Sequence, residues 1–191
     1  MAILRASSSV RELWKNGLGT TLVIASDTRE GDRESWSSWT WRLSIADVPT
    51  RGAFSIFSGI DRWIAHLDGE GLTLERDGAL ERVPSSGRAL AFAGEASVVG
   101  VPEGDGVRDV NLMLRRGACA GELHLVRDGR ASWSAPLVVV HAAGGAVAVE
   151  APSDPSAARL ESGETLVTEG EVSVTPLDGS CAVVCVIHSA D

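Results

Sequence analysis

The chain has 191 residues, a mass of 20.0 kDa and a formal net charge of −9. With 44% hydrophobic and 23% charged residues it has the composition of a globular protein able to bury a core, which excludes general disorder. An acidic surface without a clustered basic patch repels phosphate backbones, so nucleic acid is not an expected partner.

Short runs of alternating apolar and polar residues predict strands throughout the chain. In order they are 20–25, 40–46, 62–67, 72–75, 89–93, 110–114, 122–126, 137–141, 146–150, 165–167, 172–175 and 182–187. Asp68-Gly69, Asp77-Gly78, Asp128-Gly129, Gly144-Gly145 and Asp178-Gly179 separate many of them, and such pairs suit tight hairpin turns. Ser26 to Ser38 is charged and poor in aliphatics, and reads as a surface loop; Glu103 to Val107 reads as a second. Many short strands with regular turns predict a sandwich or barrel.

The chain also repeats itself. Gly87, Leu90, Gly94, Glu95, Ser97 and Val98 match Gly163, Leu166, Gly170, Glu171, Ser173 and Val174. One residue out of step, Gly69, Leu72, Leu74 and Glu75 match Gly144, Val147, Val149 and Glu150. Two matched segments in the same order point to an internal duplication. The expected fold is therefore all-β, two tandem units of small-barrel size, 1–105 and 106–191; Gly-x-x-Leu followed by a strand and another Gly resembles the second half of a cupin jelly-roll barrel, and two in tandem would be a bicupin.

Three cysteines, Cys119, Cys181 and Cys185, do not make a disulfide framework and suit a reducing compartment. Cys181 and Cys185 share a strand face amid apolar neighbours, and read as buried thiols. The first fifteen residues hold no signal-like apolar run. The longest apolar stretch, Pro136 to Val149, is too short to span a bilayer. The expectation is a cytoplasmic protein with no membrane partner.

His66, His124, His141 and His188 are scattered, with no HxH, HxxxH or CxxC spacing, so neither a metal nor another cofactor is implied. No nucleophile elbow and no phosphate loop are present. Four polar segments remain. Trp14 to Thr21 (WKNGLGTT) offers donors at Lys15 and Asn16 beside glycines. In Trp41 to Val48 (WRLSIADV), Arg42 and Ser44 share one face while Trp41, Leu43 and Ile45 share the other. Phe54 to Arg62 (FSIFSGIDR) ends on adjacent Asp61 and Arg62. In Val107 to Gly117 (VRDVNLMLRRG), Asp109, Asn111 and Met113 share a face. Asparagine is disfavoured in mid-strand, so Asn111 points to a buried polar contact or a ligand.

These four motifs, in this order and spacing, resemble the HutD/Ves family; the likeness runs from about Leu13 to Arg116 and more loosely to the C-terminus. The resemblance implies a bicupin without the usual cupin metal ligands, associated with histidine utilisation in bacteria. One departure is Leu18, which stands where the family pattern has a glycine.

The expected function is binding of a small anionic metabolite, in an accessory or regulatory role. The family link suggests a histidine-degradation intermediate such as formylglutamate or urocanate. Lys15, Arg42 and Arg62 are the candidate cations; Asn16, Ser44 and Asn111 the candidate neutral hydrogen-bonding groups; Trp41 and Met113 the candidate apolar wall. A second reading is a metal-free isomerase or hydrolase using His66 or Asp61 as acid or base. A third is an interaction module that forms a homodimer through an exposed β-edge, with the tryptophan-bearing 26–38 insert as a partner surface.

Overall fold

A computed structural model describes residues 2–4, 10–13, 19–27, 38–152 and 159–190. Among these residues every regular element is a strand. The first half contains β1 (Ala2–Leu4), β2 (Val10–Leu13), β3 (Thr20–Ser26), β4 (Trp41–Asp47), β5 (Gly52–Ala53) and β6 (Ile60–Asp68). There follow β7 (Gly71–Arg76), β8 (Ala79–Arg82), β9 (Gly87–Arg88), β10 (Leu90–Ala93), β11 (Val98–Glu103) and β12 (Arg108–Arg115). The second half holds β13 (Cys119–Val126), β14 (Ala131–Ala143), β15 (Val147–Glu150), β16 (Arg159–Leu160), β17 (Thr165–Pro176) and β18 (Cys181–Ser189).

A six-stranded sheet in the order β10-β6-β12-β4-β3-β2 faces a four-stranded sheet β5-β11-β7-β8, and the two make the first barrel. Val48, Ile64, Leu72, Leu74, Phe92, Val98 and Val107 pack between them. An eight-stranded sheet makes the second barrel around Val138, Val140, Val147, Leu166, Val174 and Val184. The expected break at 105/106 precedes β12, yet β12 pairs with β4 and β6, so the first barrel runs on to Arg115. The halves also exchange strands: β1 pairs with β17, and β9 pairs with β13.

The duplication reappears as repeated register. Leu90 lies opposite Ile64 across β10 and β6, and its repeat partner Leu166 lies opposite Val140 across β17 and β14. The predicted strands at 165–167 and 172–175 are one strand, β17, bent at Gly170 with φ 81°. At Asp77-Gly78 both residues take positive φ, and the turn closes the β7–β8 hairpin. The loop reading of 26–38 falls mostly outside the described residues.

A third core joins the two barrels. Trp41, Leu43 and Ile45 of β4, Ala65 and Leu67 of β6, and Val110, Leu112 and Leu114 of β12 pack against Leu123, Leu125, Val139, Val183 and Cys185. The six-stranded sheet is thus buried on both faces. Its strongly apolar face meets the other barrel, and the opposite face lines its own barrel.

Candidate functional site

Side chains alternate across a strand, so the inward face of the six-stranded sheet follows from parity. Cross-strand pairing arranges this face in three rungs. Arg42, Met113 and Arg62 form the first, Ser44, Asn111 and Ile64 the second, and Ala46, Asp109 and His66 the third. Arg62, Ser44, His66, Asp109 and Asn111 are all buried polar or charged residues.

Several polar atoms on this face lack the partners that burial demands. Arg42 Nε, Arg62 Nε, His66 Nε2, Asp109 Oδ1 and Asn111 Oδ1 are buried without a hydrogen-bond partner. They are the full set of such atoms among the described residues, and all lie on β4, β6 and β12. A buried unsatisfied group costs about 1–3 kcal/mol, so folds rarely concentrate them. The second barrel shows that the fold does not require it. Pairing positions equate Arg62, His66, Asp109, Asn111 and Met113 with Val138, Ala142, Ala182, Val184 and Val186. There the same positions belong to an apolar core.

Arg62 is 5% exposed, and its guanidinium lies 5.2 Å from the centroids of Phe54 and Phe92 and 5.8 Å from that of Phe57. Its Nη1 makes one long contact, 3.4 Å to the Ser55 carbonyl. Among the described residues no carboxylate forms an ion pair with it. Burial pulls its pKa down to about 10, while the charge of Asp109 acts in the opposite direction. Burial likewise pushes the Asp109 carboxyl up to about 7; Arg62 opposes this shift and Asp47 adds to it. The two groups are therefore near enough to feel each other but do not bond. Burial also lowers the pKa of His66. Arg42 differs, because its Nη2 donates to Glu12 Oε2 at 2.7 Å.

Of the residues expected to bind a ligand, Arg42, Ser44, Arg62, Asn111 and Met113 come together on this face. Ser44 Oγ donates to the backbone carbonyl oxygen of Asn111 at 3.5 Å. Trp41 does not join them. It packs in the core between the barrels, one step out of phase with Arg42 on the same strand. Lys15, Asn16 and Leu18 lie outside the described residues. Asp61 is also corrected as a candidate acid: it projects from the opposite face to Arg62 and accepts from Arg116 Nη2 at 2.6 Å. Asp109 takes its place beside His66, its cross-strand neighbour. The sequence signal for Asp109 was its shared parity with Asn111, masked by the adjoining Arg108, which pairs with Asp68 outside the site.

The four histidines do not converge. His141 Nδ1 lies 2.9 Å from Thr165 Oγ1 on the β14 face it shares with Val139 and Ala143, turned toward the other barrel, and His124 Nε2 lies 3.0 Å from Glu122 Oε2. Among the described residues no three His, Cys, Asp or Glu side chains are grouped to hold a metal ion. No helix there is long and apolar enough to cross a membrane. The cysteines are buried, and burial pushes the Cys181 thiol up to about 11 and raises that of Cys185 as well.

Two jelly-roll barrels in tandem, the first with buried polar side chains on the inward face of one sheet and the second apolar at the matching positions, define a bicupin. At the level of fold the chain resembles an oxalate decarboxylase, with a TM-score of 0.59 at 9% identity over 98% of this chain and 76% of that one. The HutD family model matches residues 6–185, and the chain belongs to that family. A crystal structure of a conserved protein of unknown function from Pseudomonas aeruginosa superposes with a TM-score of 0.82 at 29% identity, covering 100% of this chain and 99% of that one. HutD from Pseudomonas fluorescens gives 0.77 at 29% identity over the same shares. An uncharacterised protein in the hutC 3′ region of Pseudomonas putida is 41% identical over 113 residues, which are 59% of this chain and 57% of that protein. Protein Ves of Cronobacter sakazakii is 32% identical over 114 residues, 59% of this chain and 60% of its own length. The match thus spans about three-fifths of these relatives.

Proposed function

We propose that this chain is a metal-independent binding protein for a small carboxylate metabolite, held inside the first barrel. Its role is accessory or regulatory in histidine utilisation, with formylglutamate or urocanate as the ligands the family link suggests. The observation that carries this reading is Arg62, a buried guanidinium without a carboxylate partner among the described residues. An unpaired buried charge costs several kcal/mol, and an anionic ligand offsets that cost. The three phenylalanines hold the guanidinium in place and keep it dry, which strengthens a charge-assisted bond.

A thermal-shift screen of chelator-treated protein tests the reading. The panel is histidine, urocanate, imidazolone propionate, formiminoglutamate, formylglutamate and glutamate, with divalent metals run separately. A ligand at a hundred times its Kd stabilises by about 2.7 kcal/mol. For a chain of this size that is a rise of roughly 5–10 °C. A rise with a carboxylate that shrinks by half or more in Arg62→Met supports the site. A rise with metals alone, or a carboxylate response undiminished in Arg62→Met, rejects it.

A second reading, an enzyme acting on a similar substrate, draws on Asp109. A carboxyl held near pKa 7 beside a buried histidine is poised for acid–base work. Turnover of a panel compound that Asp109→Asn abolishes, with binding retained, would establish it.

A further inference from the structure

The walls of the two barrels differ at one place. In the second barrel Ala131, Trp133 and Ala135 of β14 lie opposite Val174, Val172 and Gly170 of β17, and both strands run on past this point. In the first barrel the repeat partners of Val174 and Gly170 are Val98 and Gly94, whose carbonyls accept from Phe54 N and Phe57 N, each at 2.9 Å. Residues 54–59 therefore take the place of the paired stretch of β14, yet they form no strand. The chain facing them is broken as well: β10 ends at Ala93, β11 begins at Val98, and Ala96 N closes a turn on the Ala93 carbonyl. Among the described residues Ser55 and Ile56 make no backbone–backbone hydrogen bond, and Ile56 is 63% exposed.

This unladdered stretch lies over Arg62. Phe54 and Phe57 cover the guanidinium, and Arg62 Nη1 reaches the Ser55 carbonyl at 3.4 Å. Its C-terminal end is fastened by charge. Glu95 Oε1 accepts from Gly59 N at 2.6 Å and from Arg116 Nη1 at 3.2 Å. Arg116 Nη2 holds Asp61 at 2.6 Å, and Arg116 N donates to the Gly59 carbonyl at 2.9 Å. Gly59 has φ 75° and open space at its Cβ position, so the chain pivots there without a steric barrier. A segment held by few bonds opens at a lower free energy than a laddered strand.

We infer that residues 54–59 are a strap that gates the first barrel. Closed, the strap sets the Ser55 carbonyl on Arg62 where an incoming anion would bind, and its two phenylalanines shut the guanidinium in. Swung away from the 94–97 turn, it uncovers Arg62. Glu95 and Arg116 are the latch that sets how often this happens. The carboxylate reading above supplies what enters; the opening itself does not depend on it.

The test needs no ligand. Full-length protein is treated with phenylglyoxal, which adds to accessible guanidinium groups, and the rate at each arginine is read by peptide mass spectrometry. In the wild type Arg62 is expected to react more slowly than Arg51, whose side chain is 61% exposed. In Glu95→Ala and in Arg116→Ala the Arg62 rate is expected to rise about three- to tenfold, the worth of the charge-assisted bonds removed. Both substituted side chains are exposed, circular-dichroism melts verify that each variant folds, and either variant alone suffices. Two controls are expected to stay unchanged: Arg42, two strands away on the same rung, and the Cys185 thiol, whose reaction with a thiol reagent reports global unfolding. An Arg62 rate equal to that of Arg51 in the wild type, an Arg62 rate unaltered in the folded variants, or one that rises only in step with Cys185 overturns the strap. Failure of every panel carboxylate to protect Arg62 would instead overturn the carboxylate site and leave the strap standing.

Discussion

Asn111→Val installs in the first barrel the residue found at the matching position of the second, Val184. Asn111 is 6% exposed, and its Oδ1 has no hydrogen-bond partner. Leaving a carbonyl of this kind unpaired costs about 1–3 kcal/mol, which an apolar replacement recovers. Valine is also favoured in mid-strand, where asparagine is not. Against this stands a modest increase in volume beside Ser44 and Ile64, its neighbours on the rung. The unliganded variant is therefore expected to be more stable by about 1–2 kcal/mol, which raises its melting temperature by roughly 2–8 °C. Carboxylate-induced stabilisation should shrink in the same variant. Chemical and thermal unfolding, with and without ligand, read both effects. A loss of more than about 1 kcal/mol in the unliganded protein would show that Asn111 is already satisfied, and would refute the orphan argument for the whole face.

Four further outcomes are expected. Arg62→Met should weaken carboxylate binding about 10- to 100-fold by titration calorimetry, the worth of one or two charge-assisted hydrogen bonds. Folded Asp109 keeps a proton that the unfolded chain releases above about pH 4, so its stabilising contribution is full in acid and is lost as pH rises through about 7. His66 and His141 act oppositely, since burial holds both neutral, His141 with a pKa of about 4, and they cost stability as pH falls below about 6.5. Between pH 6.5 and 8 unfolding titrations should thus show a fall of roughly 1 kcal/mol, absent in Asp109→Leu. Gly94→Ala should destabilise by about 1–3 kcal/mol in urea unfolding, because its Cβ would run into the Phe57 carbonyl oxygen and meet that of Ile60 at 2.8 Å. Native protein should react with a thiol reagent only on the timescale of unfolding, since all three cysteines are buried.

The strands of the core were legible because alternation marks them. Those that escaped lack it. β8 is exposed at all four positions, and β11 carries Gly100 and Pro102. The β14 residues before Leu137 alternate small residues with Trp133, a weak signal. The site was legible in its pairings of residues by parity, but not in which face turned inward. The apolar-in rule would place Trp41, Leu43 and Ile45 inside the first barrel. They lie between the barrels instead, because a second sheet covers them. Asp61 misled for a related reason: adjacency to Arg62 in sequence puts it on the opposite side of the sheet. Asp109 was hidden by Arg108, since two neighbouring charges resemble a solvated turn. What no sequence pattern could reveal was the absence of partners, which depends on every strand that closes over the group.

The exchange of strands between the halves constrains how the chain is made. β1 leaves the ribosome well before the residues it pairs with, 165–167 of β17. It must wait, unpaired, until that stretch has been synthesised. The first barrel waits as well, because β12 is its central strand and β4 and β6 meet only across it. Contacts this distant in sequence slow folding and leave strand edges open in the interval. A truncation after residue 105 would lack the strand that carries Asp109 and Asn111, and would leave β4 and β6 with bare edges that invite pairing with another copy.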